Sequence, residues 1–123
     1  MRSILRILLA VAGLCAAGEA FAYFCSGPID WVTVSPSGVV AVGSSTSGLA
    51  GFYVCQLGTT MYGVGPDTCK AMTSTLMFAK ATGATVSWAF NDSLTCNRSG
   101  FNGGNWYWLG EAPSAWYYGP QVQ

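Results

Sequence analysis

Four cysteines, Cys25, Cys55, Cys69 and Cys96, constrain what this chain can fold into more than any other feature. A fifth, Cys15, lies in an N-terminal stretch that reads as a leader. Arg2 and Arg6 give that stretch a positive start, residues 7–17 are apolar, and Ala20-Phe21-Ala22 offers a small-x-small cleavage site. The apolar run is shorter than the roughly 20 residues a membrane-spanning helix needs. Leu14 stands before Cys15 where a lipoprotein would carry a small residue, so Cys15 is expected to leave with the leader. Residues 1–22 are therefore read as a cleaved signal, and residues 23–123 as one small exported domain, secreted or periplasmic. An even four cysteines in such a domain predict two disulfides formed in an oxidising compartment.

Four cysteines permit three pairings, and sequence alone does not choose between them. Locality favours Cys55 with Cys69, across about 13 intervening residues. Closing a loop of that size is worth roughly 3 kcal/mol by the chain-entropy estimate. Cys25 with Cys96 would then fasten the start of the domain to a point late in the chain. A zinc site is the other use for four thiols, but no two of them form a C-x₂₋₄-C pair. No metal and no cofactor are expected.

The charged residues after the leader are Lys70, Lys80 and Arg98 against Asp30, Asp67, Asp92 and Glu111, a net charge of −1. So few cations argue against nucleic acid, whose binding rests on several Lys or Arg contacts to phosphate. They argue equally against electrostatic attachment to a membrane. The whole chain is 51% hydrophobic and only 8% charged, and so uncharged a domain is expected to have apolar surface for a partner to cover, a homo-oligomer included. The chain has no histidine. That removes histidine triads, histidine metal sites and the commonest general base. Asp67 suits a helix cap, and Asp30 and Asp92 suit strand-surface and turn positions, so a glycosidase-like carboxylate pair is not expected. Pairing all four thiols leaves no cysteine nucleophile. Gly100 to Gly104 lacks the lysine and Ser/Thr of a phosphate loop and reads as a hairpin tip around Asn102-Gly103. The chain is therefore not expected to be an enzyme.

Turn signals divide the domain. Strands are predicted at 29–34 and 39–42 around a Ser35-Pro36-Ser37-Gly38 turn, then at 52–57, 85–90 and 106–109. Residues 43–51 and 58–65 read as loops, and 94–96 as briefly extended. One helix is predicted over about 67–82, with Asp67 or Thr68 as its cap. Met72, Leu76 and Ala79 recur in it at helical spacing, and Gly83 is placed to end it. In the strand at 85–90, alternation puts Val86, Trp88 and Phe90 on one face. Residues 111–123 read as a Pro-flanked tail. The acceptor patterns at Asn91-Asp92-Ser93 and Asn97-Arg98-Ser99 are taken as turns.

A strand ending in cysteine, then GPDTCKAMTSTLMFAKATGATVSWAF, then LTC resembles a group of small exported bacterial proteins of mostly unknown function. More distantly, the strand, helix with Thr-Gly end and strand are similar to the pentameric, glycan-binding B subunits of bacterial A–B toxins. That resemblance, which spans residues 52–96, implies an oligonucleotide/oligosaccharide-binding (OB-type) barrel carrying one helix. No sugar-contacting motif of the toxins is matched, so no binding residue is carried over. The expected fold class is α+β, a strongly bent five-stranded antiparallel sheet or OB-like barrel with one packed helix.

The aromatic residues hold what functional signal there is. Trp31, Trp88 and Phe90 occupy alternating strand positions and read as core. Trp106, Tyr107 and Trp108 are consecutive, so a strand must turn Tyr107 away from the two tryptophans. Trp116, Tyr117 and Tyr118 cluster in the tail, which could either bind a partner or fold over a barrel opening. These six residues are the candidate ligand- or partner-binding positions, because Trp and Tyr anchor interfaces and stack on sugars. The expected function is a non-catalytic exported binding module, toxin B-subunit-like, recognising glycan or protein through an aromatic surface. The alternative is a structural or inhibitory partner of another exported protein.

Overall fold

The computed structural model describes residues 22–97 and 106–123. The expected leader up to Phe21, the Asn102-Gly103 turn and Arg98 lie outside the described residues.

Among the described residues, six strands and one α-helix follow one another as β1 (Tyr23–Pro28), β2 (Trp31–Val34), β3 (Val39–Ser44), β4 (Leu49–Gln56), α1 (Pro66–Thr82), β5 (Thr85–Phe90) and β6 (Trp116–Val122). They form two antiparallel three-stranded sheets, ordered β1-β5-β6 and β2-β3-β4. The expectation of one five-stranded sheet or a closed barrel is thus corrected. Only Ile29 and Asp30 separate β1 from β2, so the chain passes from one sheet directly into the other. Closure would need a continuous strand beside β4, and residues 106–109 do not make one. They touch β4 at a single parallel bridge, Tyr53 with Trp108. A turn then follows at once, with the Glu111 N–H donating to the Trp108 carbonyl at 3.0 Å.

Alternation builds the core from both sheets. Val40, Val42, Phe52 and Val54 from one, and Cys25, Val86, Trp88 and Phe90 from the other, are buried against Met72, Leu76 and Ala79 of α1. Phe52 meets Trp88 edge to face at 5.3 Å, a geometry the ring quadrupoles favour. The helix begins one residue earlier than expected, with Gly65 as its N-cap and Pro66 in its first turn. No side chain caps it. Asp67 instead sits in the first turn, 3.8 Å from Lys70 and fully exposed. Gly83 ends the helix in the left-handed conformation, φ 70°, and its N–H reaches the Ala79 carbonyl.

The disulfides join Cys55 to Cys69, the pair that locality favours, and Cys25 to Cys96, the pair that then remains. Cys55–Cys69 clips the end of β4 to the first turn of α1. Cys25–Cys96 spans 71 positions and ties β1 to the chain just beyond β5. Among the described residues, no helix is long and apolar enough to cross a membrane.

Candidate functional site

The outer face of the β2-β3-β4 sheet carries a row of aromatic rings, and glycines seat them. Trp31 of β2 lies across Gly43 of β3, its partner in register. A side chain at Gly43 would occupy the space of the Trp31 indole. One strand further on, Trp106 lies over Gly51 of β4, where a Cβ would come within 3.0 Å of the ring. With both glycines bare, the indoles settle onto each other, stacked at 5.3 Å and 21°. Tyr53 continues the row, 5.4 Å from Trp106 and 5.3 Å from Trp108. Tyr62 closes it, 5.8 Å from Trp108.

The backbone fixes the segment that carries the two late tryptophans. The Tyr53 N–H donates to the Tyr107 carbonyl at 3.0 Å, and the Leu109 N–H donates to the Tyr53 carbonyl at 2.8 Å. Leu109 itself is completely buried and anchors the segment in the core. Gly110 lets the turn approach the loop that bears Tyr62, since a Cβ there would lie 2.8 Å from the Tyr62 Cβ.

Beside the rings is a hollow of about 320 Å³, with Val39 and Ala41 as floor and Tyr53, Trp106 and Trp108 as one wall. Thr33 and Ser35 supply hydroxyls at its rim. Ser35 is positioned by the β2–β3 turn, where its Oγ accepts the Val39 N–H at 3.1 Å and meets the Ser37 hydroxyl at 2.9 Å. The nearest carboxylate held to the row is Glu111, whose Oε2 accepts the Trp108 N–H at 3.4 Å.

The six candidate aromatics therefore separate. Trp106 and Trp108 stand in the row, while Tyr107 between them, 41% exposed like Trp106, meets Tyr53 through its backbone carbonyl. Trp116, Tyr117 and Tyr118 belong to β6 in the other sheet, so the tail is an outer strand and covers no barrel opening. Trp116 packs edge-on against Trp88 at 6.2 Å, and its Nε1–H donates to the Tyr118 carbonyl at 2.9 Å. Tyr117 and Tyr118 are exposed. Tyr118 pairs with Ala89, which pairs on its other side with exposed Phe24. Trp31, read from the sequence as core, belongs to the row instead. Tyr53 and Tyr62 join it too, and sequence reasoning did not single them out. The available signal was glycine inside a strand, which marks a close approach by something large.

A second hollow, about 470 Å³, lies between Tyr23, Phe24 and residues 92–96. Asp92 beside it is already engaged, accepting the Tyr23 hydroxyl and the backbone N–H groups of Leu94 and Ala115. Asp30 accepts the Ser45 N–H at 2.7 Å. Hydrogen bonding from Ser45 holds the Asp30 carboxyl below its usual range. Among the described residues, no three His, Cys, Asp or Glu side chains are grouped to hold a metal.

Fold and site together describe a small, doubly disulfide-stapled α+β domain with an aromatic outer face. No family model matches the chain, and no similar curated protein or solved structure was found.

Proposed function

We propose that this protein is a non-catalytic, exported binding module that recognises glycan through the aromatic row of the β2-β3-β4 sheet. One observation carries the reading: five rings, Trp31, Trp106, Tyr53, Trp108 and Tyr62, run side by side across a sheet face, next to a hollow rimmed by hydroxyls. A core would bury such rings. Here Trp106 and Tyr62 keep 41% and 49% of their surface in solvent. Apolar ring faces with a few fixed hydroxyls are what a sugar needs, since it is apolar on its C–H face and polar at its edge. The two disulfides suit an oxidising, extracytoplasmic location.

Catalysis has little to work with. Asp30 and Asp92 are occupied by backbone N–H groups, Glu111 by Trp108, and Asp67 stands at an exposed helix start. The test is a glycan array probed with the mature chain and with Trp106→Ala and Trp108→Ala. We expect sugar binding in the parent and its loss in both variants, with the far-ultraviolet circular dichroism unchanged. Binding that survives both substitutions would remove the row from the reading.

A second reading, a structural or inhibitory partner of another exported protein, is favoured by Phe24 and Tyr118. They flank Ala89 on the opposite sheet with 58% and 61% of their surface exposed. Under it, Tyr118→Ser would abolish the partner complex and leave sugar binding intact.

A further inference from the structure

Resting on the glycan reading, we propose that the aromatic row takes an uncharged oligosaccharide of two or more pyranose residues and discriminates against acidic sugars. The geometry supplies the first half. Centroid steps of 5.3, 5.4, 5.3 and 5.8 Å lead from Trp31 through Trp106, Tyr53 and Trp108 to Tyr62. The row is therefore several ring-widths long. Stacking surfaces thus follow one another ring by ring, with exposed Trp106 and Tyr62 separated by the Tyr53–Trp108 pair. A monosaccharide covers one step of such a row, and a chain of sugars covers several, each adding its own stacking contact.

Charge supplies the second half. The five rings and the Thr33, Ser35, Val39 and Ala41 side chains of the adjoining hollow carry no ionic group. Among the described residues, the carboxylate bonded to the row is that of Glu111, at the Trp108 N–H. Both described lysines, Lys70 and Lys80, are on the exposed side of α1. An anionic sugar would bring its charge towards Glu111 at the cost of its own hydration, while the two described lysines are turned to Asp67 and Asp30 and not bonded to the row. A neutral sugar meets the Thr33 and Ser35 hydroxyls without that cost.

The experiment is calorimetric titration of the mature chain with neutral hexose oligosaccharides of one, two and four residues, and with the same tetrasaccharide ending in a uronic or sialic acid. We expect the tetrasaccharide to bind at least tenfold more tightly than the monosaccharide, and the acidic ending to weaken it. Glu111→Gln should narrow the gap between the acidic and neutral ligands, and Tyr62→Ala, at the end of the row, should flatten the dependence on length. Equal affinity for one and four residues overturns the proposal. So does tighter binding of the acidic ligand that falls with salt or is lost in Arg98→Ala. If neither neutral nor acidic sugars bind, the glycan reading itself fails and takes this inference with it.

Discussion

Gly43 and Gly51 show how much a single absent side chain can decide. Each stands within a strand, where glycine costs about 0.5–1 kcal/mol relative to alanine, and each faces an indole. At Gly51 an added Cβ would lie 3.0–3.1 Å from the Trp106 ring, tight enough that the ring must give way. We expect Gly51→Ala to shift Trp106 off its stack on Trp31, changing the near-ultraviolet circular dichroism of the paired indoles. Sugar affinity should drop about tenfold while far-ultraviolet signal persists. An unaltered near-ultraviolet spectrum would show that the seat is not needed. The same glycines explain why β3 and β4 run longer than predicted, 39–44 and 49–56 against 39–42 and 52–57. Glycine reads as loop by propensity, and the tryptophan that requires it sits on another strand. Trp31 was misread for a related reason: the Ile29–Asp30 link changes sheets, and local alternation cannot show that Ile29 points into the core while Trp31 points out.

Asp30 marks that link with a pH signature. Its carboxyl is lowered from 3.8 by hydrogen bonds from Ser45. Its folded value lies below its unfolded one, so the contribution to stability is present above about pH 3.8 and disappears as pH falls through the lowered folded value. Denaturant titrations of the parent and Asp30→Asn should differ by a constant amount near neutrality and converge in acid. A gap that widens on acidification would contradict the assignment.

Among the elements, those held by local rules were legible and those held by distant partners were not. β5 occupies 85–90 as predicted, and α1 differs by one residue at its start. Both combine clear periodicity with a stop signal at Gly83. β1 escaped notice because Tyr23–Pro28 is short and ends in Gly-Pro; its alternation of buried Cys25 and Gly27 with exposed Phe24 and Ser26 appears only once β5 is beside it. β6 contains Gly119 and Pro120, residues that argue against a strand; it tolerates them as an outer strand with register shifts opposite β5. Residues 106–109 show the reverse error, strand-forming side chains that get a single bridge because the chain turns immediately afterwards. The helix offers a direct check on packing. Leu76 is fully buried, so Leu76→Ala should cost about 2–5 kcal/mol in denaturant unfolding. Phe78, on the outward side and 62% exposed, should change by less than about 0.5 kcal/mol when made alanine. Comparable losses at both positions would mean that the outer helix face is covered in solution.

For the molecule as a whole, the two disulfides do unequal work. Cys55–Cys69 closes a short loop, and its removal by the double serine variant should cost roughly 3 kcal/mol. Cys25–Cys96 spans 71 positions and joins the sheet that contains β1 to the stretch leading towards the aromatic segment. The chain-entropy estimate for a loop of that size is about 4 kcal/mol. Chemical unfolding of each double variant should therefore rank Cys25→Ser/Cys96→Ser as the less stable. The opposite ranking would indicate that the unfolded chain already holds its ends together.

The lone parallel bridge between Tyr53 and Trp108 also bears on what happens when many copies are crowded together. β4 is the last strand of its sheet, and a strand in that position presents unpaired amides on which another chain can template. Residues 107–109 cross it at Tyr53 and occupy that residue's N–H and carbonyl. The aromatic segment thus blocks templating at Tyr53, in the middle of that edge. Leu109→Asp, by prising the segment away, should yield a protein that forms thioflavin-positive aggregates at concentrations where Trp108→Ala remains clear.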